Sequence, residues 1–576
     1  MDLQQKDIEE LKEKITSKIL SLKVKNELLF EAERVGMISP ASAEYGTIRT
    51  YIDWVLSLPW EEPPLTLEID MDRIEQVLET EFYGQRKVKE QVLEYFSIRK
   101  LRKEIKNQVL CFLGPPGTGK SWLAQAIALA LGRKFVRLSV VGIRDEAEIR
   151  GQSMGYTGAM PGKIIRSIRE AQSNHLLFLV EDIDKLGVSS LRGEPMLALM
   201  DAFDFEKNNS FIDYYVKMPY DLSGVMFVCT ASVLEEIPEH LLDLMEVIEF
   251  SGLVEEEKKQ IAKNYVLPKQ LEKNGLNPEE MVITDEALSK IIQQYTLEAG
   301  LRNLHREIET ICRKCARMKA FGETKCERIT PDNLEEYLGP PVYIPDIAGK
   351  KPEIGVAIGL AWTAAGGDIM VIEALKMRGS GQVISTGQLG DIIKESVQAA
   401  HSFVRSKAEE LDIDYDDFTN YDIHIHFPSG SIPKDGSSAG CGICLVIASV
   451  MSNKPIRNDI AMSGEVSLRG KILPVLGLRE KVSAAARVGI KNILLPKANV
   501  KNISDVPEVT QNKVNFIWVE RMEEIFRHAL IGYGKLTRIS KAEFKKIKDA
   551  LKNIKFQKSK KGKKSKTNRS RLDKIV

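Results

Sequence analysis

Two short stretches carry residue types and spacings that can do chemistry. In Pro433-Lys434-Asp435-Gly436-Ser437-Ser438-Ala439-Gly440, a serine falls on what reads as a tight turn ahead of an apolar, helix-like run. A serine hydroxyl is a weak nucleophile until a nearby base takes its proton. Lys481, in Gly477-Leu478-Arg479-Glu480-Lys481, can be such a base if burial lowers its pKa toward neutrality. The competing reading makes Ser438 a helix cap. The second stretch, Gly114-Pro115-Pro116-Gly117-Thr118-Gly119-Lys120-Ser121, fits the phosphate-cradling pattern G-x-x-x-x-G-K-[ST]. Its glycines let backbone N–H groups wrap phosphates, Lys120 reaches the β/γ-phosphates of a nucleotide such as ATP, and the Ser121 hydroxyl ligates Mg2+.

These groups need elements to hold them. The loop at residues 114–121 follows the apolar run Val109-Leu110-Cys111-Phe112-Leu113 and opens a helical pattern, which is the context the phosphate loop requires. Two more short apolar runs, Leu176-Leu177-Phe178-Leu179-Val180 and Val225-Met226-Phe227-Val228-Cys229, read as buried parallel strands. Strand-like runs alternating with helical ones predict a doubly wound α/β domain over residues 65–253. A helical region follows over 254–340, then a mixed α+β domain over 341–540 that contains Ser438 and Lys481. Residues 1–64 read as a helical segment. There Ile8, Leu11, Ile15, Ile19 and Leu22 mark one face of a helix that runs to Gly36 and Pro40, with a second helix from Ala41 to Leu58. Residues 541–576 read as a helix and a disordered tail with the basic block Lys558-Ser559-Lys560-Lys561-Gly562-Lys563-Lys564-Ser565-Lys566. The fold class is therefore α/β multidomain.

Composition excludes several classes. With 43% hydrophobic and 28% charged residues and a mean hydropathy of −0.18, the 576-residue chain reads as soluble, with no apolar run of membrane-spanning length. No basic-then-apolar leader opens it, so no export is expected. Seven cysteines in a chain of this length do not make a disulfide framework, and a reduced, cytoplasmic protein is the expectation. Asp422, His424 and His426 alternate along one strand and so share a face, a pattern that suits a metal or a plain strand. Cys312/Cys315 and Cys441/Cys444 have C-x-x-C spacing inside helical patterns, where packing competes with zinc or redox chemistry. The lysine-rich tail suits weak DNA binding or simple solvation.

The stretch from Pro433 to Gly440 resembles the PKDGPSAG signature of the Lon proteases, and the resemblance extends from about residue 41 to 536. It implies a Ser438 nucleophile, a Lys481 general base, a AAA+ module with a helical lid, and a homohexamer that degrades unfolded or damaged proteins with ATP and Mg2+. Asp435 matches an acid that occupies or supports the family's active site, and the backbone after Ser438 is expected to help form the oxyanion hole. Tyr156-Thr157-Gly158-Ala159-Met160-Pro161-Gly162 resembles the loop that grips unfolded chain. Arg302 matches the second sensor arginine. The larger N-terminal substrate-selecting domain of most such proteases has no counterpart in this stretch.

Several positions depart from the family. Glu181-Asp182-Ile183-Asp184-Lys185 stands for D-E-I-D-K, so the metal-side and water-side acids are exchanged. Ser232 replaces a sensor Asn, and Leu244 replaces the arginine that reaches a neighbouring subunit's nucleotide. In the protease half, Ala364 replaces Glu, Gly442 replaces Thr, and Ser463 replaces the Thr that orients the lysine. The first three imply a protein that binds ATP but hydrolyses it slowly or not at all. Two alternatives remain: a nucleotide-gated or ATP-independent protease, and a DNA-associated binding protein anchored by the tail.

Overall fold

The computed structural model describes residues 3–60, 69–101, 108–156, 158–187, 194–296, 298–322, 327–343, 351–363, 366–428 and 433–533. Ala364, Thr157 and the basic tail lie outside them. The chain divides after Tyr343 into two units.

In the first unit, helices α1 (Leu3–Ser17), α2 (Leu22–Met37) and α3 (Ala43–Ser57) precede a five-stranded sheet. The single long helix expected over residues 1–38 is broken. Leu11 and Ile15 are buried, but Ile19 and Leu22 are 67% and 77% exposed. Between them the chain leaves the helix, and the Ser21 side chain restarts it by accepting the Val24 N–H at 3.3 Å. The three helices share one apolar core with the sheet, and Tyr51 Oη donates to the Val216 carbonyl at 2.9 Å.

The sheet strands are β1 (Val109–Leu113), β2 (Lys134–Ser139), β3 (Leu176–Glu181), β4 (Met226–Ala231) and β5 (Met245–Glu249), in spatial order β2-β3-β4-β1-β5. All pair in parallel. Every residue of β1 and β4 is buried, which explains why their sequences run apolar without alternation. Helix α4 (Lys120–Ala130) leaves the C-terminal end of β1. The region that follows, expected to be purely helical, is not, because Met281–Ile283 pairs in parallel with Glu327–Ile329. Its longest helix, α5 (Arg302–Ala320), buries Leu304, Ile308, Ile311, Cys312 and Cys315 on one face.

In the second unit, a seven-stranded mixed sheet comprises β6 (Val356–Thr363), β7 (Gly366–Arg378), β8 (Val383–Thr386), β9 (Tyr421–His426), β10 (Ile460–Met462), β11 (Asn492–Pro496) and β12 (Asn515–Val519). Their order is β8-β9-β7-β6-β10-β11-β12. Helix α6 (Asp391–Ser406) and the almost wholly buried α7 (Gly440–Ser452) belong to one core with Ala357, Ile372 and Ala374. Helix α8 (Leu478–Arg487) packs instead with Ile358 and Leu360, the alternate positions of β6. The sheet therefore separates α7 from α8.

Candidate active site

Ser438 sits in a single 3-10 turn, Ser437–Ala439, that feeds directly into α7. Gly436 opens that turn with φ 123° and ψ 148°, a conformation only glycine holds without strain. The segment before it is laced to the start of α6. Gly390 N donates to the Lys434 carbonyl at 2.8 Å, and the Asp435 carboxylate accepts the Ile393 N–H at 3.1 Å. Asp435 thus caps α6 from another segment and holds the chain that leads to Ser438.

On the other side, the chain after β10 is strapped to the turn. Gly464 N donates to the Ser438 carbonyl at 2.9 Å, Cys441 N donates to the Gly464 carbonyl at 2.9 Å, and the buried Ser463 hydroxyl points at the Ser438 carbonyl from 3.5 Å. Ser437 Oγ donates to Glu465 Oε2 at 2.5 Å. Sequence reasoning missed this last bond, although the serine where the signature has proline was its visible trace.

Lys481 lies on α8 and is 2% exposed. A Cβ at Gly367 would fall 1.9 Å from the Glu480 carbonyl oxygen and 3.0 Å from the Lys481 nitrogen, so the glycine lets α8 press on β7. Burial pulls the Lys481 pKa down to about 8, against the opposing pull of Glu480. Among the described residues no hydrogen bond joins the Ser438 hydroxyl to the Lys481 ammonium. Catalytic contacts of this kind are often long without substrate.

The strand face of Asp422, His424 and His426 gathers no metal-like cluster among the described residues. Asp422 accepts the Ser380 and Gln382 N–H groups, both at 2.8 Å, which hold its carboxyl below its ordinary range. His424 Nε2 and His426 Nδ1 both meet Thr386 Oγ1, at 2.9 and 2.7 Å. The Cys312/Cys315 and Cys441/Cys444 pairs are buried thiols outside any disulfide. Burial pushes the Cys312 thiol up to about 12 and the Cys441 and Cys444 thiols well above their ordinary value, so packing explains them better than reactivity.

The nucleotide loop in the first unit borders a cavity of about 950 Å3, which Arg302 and Tyr265 of the lid also line. Gly114, Gly117 and Gly119 have φ of 148°, 78° and 98°. Leu301 N donates to the Gly117 carbonyl at 3.0 Å, so the lid touches the loop. Pro116, Gly117, Thr118, Gly119, Lys120 and Ser121 line the cavity. Lys120 folds back, its ammonium donating to the Gly114 carbonyl and to the Pro115 carbonyl at 2.9 Å. Burial draws its pKa down to about 8, opposed by Asp182 and Asp184.

Ser121 Oγ donates to Glu181 Oε1 at 2.6 Å. Two oxygen ligands placed together in this way fit a small divalent cation that completes its shell with water and phosphate. The longer acid at 181 thus reaches the Ser121 hydroxyl. Asp182, at φ 58°, holds the left-handed region, and its N–H donates to Thr230 Oγ1 at 3.1 Å. Asp184 accepts the Ser232 and Val233 N–H groups at 3.0 and 3.2 Å. Leu244 packs against the core of its own unit.

Tyr156 and Met160 stand 69% and 48% exposed on a loop closed by Gln152 N donating to the Met160 carbonyl at 3.1 Å. The wholly buried Asp213 ties its base, accepting Gly162 N at 2.7 Å with Oδ2 and the Tyr215 and Val216 N–H groups at 2.8 and 3.0 Å with Oδ1. Burial raises its carboxyl to about 6, with those backbone bonds and Arg166 opposing.

Profiles of known families match in the same order. The Lon protease (S16) C-terminal proteolytic domain covers residues 328–532, the Lon protease AAA+ ATPase lid domain 272–328, and the ATPase family associated with various cellular activities 110–253. The Lon protease of Dictyoglomus thermophilum is 47% identical over 534 residues, 92% of this chain and 67% of its own. That of Geobacter metallireducens is 44% identical over 529 residues, covering 92% and 64%. Lon protease 2 of Thermus thermophilus is 44% identical over 540 residues, covering 92% and 67%. The chain thus spans about two thirds of the length of these relatives. Fold and matches together define a AAA nucleotide-binding module and lid joined to a serine-type proteolytic domain. The chain belongs to the Lon protease family.

Proposed function

We propose that this protein is a serine endopeptidase that cuts unfolded or damaged proteins in the cytoplasm, assembles as a homohexamer, and binds ATP with Mg2+. The observation that carries the protease reading is the buried Lys481, whose pKa of about 8 leaves part of the population neutral at physiological pH. Neutral Lys481 takes the Ser438 hydroxyl proton as Oγ bonds to the peptide carbonyl carbon. The resulting ammonium returns that proton to the departing amine, leaving an acyl-enzyme. Lys481 then deprotonates a water, which attacks the ester carbonyl, and the ammonium passes that proton to Ser438 Oγ as the ester C–O bond breaks and the acid product leaves.

The nucleotide half binds well and turns over slowly in this reading. Lys120 and the loop amides hold phosphates, and Ser121 with Glu181 holds Mg2+, which when bound neutralises phosphate charge. Asp182, the shorter acid, is left to position water, and Leu244 brings no positive charge to a neighbouring site. A missing arginine finger costs on the order of 10³ in turnover in other nucleotidases. Leu244→Arg is therefore expected to raise steady-state ATP hydrolysis by roughly tenfold or more, read by phosphate release.

The decisive assay measures degradation of an unfolded and a stably folded protein with ATP, a non-hydrolysable analogue, ADP or no nucleotide, against Ser438→Ala. Loss of cleavage in Ser438→Ala is expected, with the unfolded substrate cut in every nucleotide state. Full activity of Ser438→Ala removes the protease assignment. ATP-only degradation of the folded protein removes the slow-turnover reading.

A further inference from the structure

The turn that carries the nucleophile differs from the family signature at one residue, and that residue makes the shortest side-chain bond of the turn. Where the signature has proline, Ser437 donates to Glu465 Oε2 at 2.5 Å. Glu465 lies on the segment whose two preceding residues already bond the Ser438 carbonyl. The two segments therefore meet at successive positions, 463, 464 and 465 against 438, 438 and 437.

A proline at 437 would fix φ of the first residue of the 3-10 turn, a position where its missing N–H is least costly. The preceding Gly436 has ψ 148°, within the range a following proline demands. The Gly436 ψ and the 3-10 turn at 437 suit a proline there, but the chain supplies a hydroxyl. We infer that Ser437 and Glu465 form a positioning pair for the Ser438 nucleophile, a side-chain tie that orients the turn in place of the absent proline ring.

The alternatives at this site do not account for the pairing. The signature's serine falls at Ser438, and Ser437 stands where it has proline, so Ser437 is not assigned the nucleophile's role. Among the described residues no hydrogen bond or ion pair joins Glu465 to Lys481, and the Glu465 carboxylate accepts from Ser437 instead. A tie of this kind limits how far the turn wanders, and small misplacements of a reacting atom are costly in rate.

The inference rests on the Ser-Lys protease reading, and the test separates the two. Full-length variants are assayed on a short fluorogenic peptide, with kcat and KM measured separately and folding checked by melting temperature and nucleotide binding. Ser437→Ala and Glu465→Ala are each expected to lower kcat roughly tenfold with KM within about twofold. The double variant is expected to be no slower than either single variant, because both remove one bond. Ser437→Pro is expected to bring kcat back to within about threefold of the parent chain, and adding Glu465→Ala to it should cost nothing more.

If Ser437→Ala keeps full kcat, or if Ser437→Pro is as slow as Ser437→Ala, the pair does not position the nucleophile. The same holds if Glu465→Ala costs as much in the Ser437→Pro background as in the parent chain. Should Ser437→Ala fail to fold, the comparison of Ser437→Pro with and without Glu465→Ala still decides the matter. Full cleavage by Ser438→Ala would instead overturn the protease reading itself.

Discussion

Lys481 is held in a state its own burial disfavours. Its folded pKa of about 8 lies below the ordinary 10.5, so at pH 7 the fold carries a buried ammonium that the unfolded chain would keep solvated. Between pH 8 and 10.5 the unfolded state binds the extra proton, so this residue's contribution to stability improves as pH rises through that window. Lys481→Met is therefore expected to stabilise the second unit at pH 7 by on the order of 2–3 kcal/mol, an advantage that shrinks toward about pH 10.5. Calorimetry at about pH 7 and pH 10 checks it. Peptide cleavage by the intact protein should rise with pH through an apparent pKa near 8, as the amine becomes neutral. As candidates, Ser438 and Lys481 were legible because their types and order match a chemistry. The Ser437–Glu465 bond was not, because a serine in place of proline says nothing about which distant carboxylate it will meet.

At the scale of elements, the parallel strands could be read from their unbroken apolar runs, since a strand buried on both faces has no polar positions to show. The break between α1 and α2 could not, because Ile19 and Leu22 continue the apolar spacing across it while standing in solvent. A local cap at Ser21 overrode the periodicity. Asp213 escaped notice for a related reason, since its tie to the loop base runs to Gly162, far away in the chain. In Asp213→Asn the side chain keeps one acceptor oxygen and turns an amide NH2 donor toward either Gly162 N or the Tyr215 and Val216 N–H groups. Asp213→Asn is expected to loosen the loop bearing Tyr156 and Met160, raising KM for an unfolded protein several-fold while leaving short-peptide cleavage within about twofold. Equal losses on protein and peptide would mean that Asp213 serves the fold alone. Tyr156→Ala run alongside reports whether the loop grips substrate at all.

At the scale of the whole chain, the two units have separate apolar cores, and the nucleotide cavity lies wholly within the first. A ligand that binds only the folded form of one unit stabilises that unit alone, by about 2.7 kcal/mol at roughly a hundred times its Kd. Two thermal transitions are expected, of which ATP shifts only one. A single transition, or equal shifts in both, would show coupling between the units. The order of the parts along the chain carries a further consequence for a nascent protease. Ser438 emerges from the ribosome before Ser463 and Glu465, Lys481 follows, and β12, the sheet's last strand, ends at Val519. At about 5–20 residues per second, roughly 10–40 s separate the end of the first unit from the last strand of the second. During that interval the nucleotide-binding unit can be complete while the scissile machinery is still missing parts, so a half-made chain has nothing with which to cut itself or its neighbours.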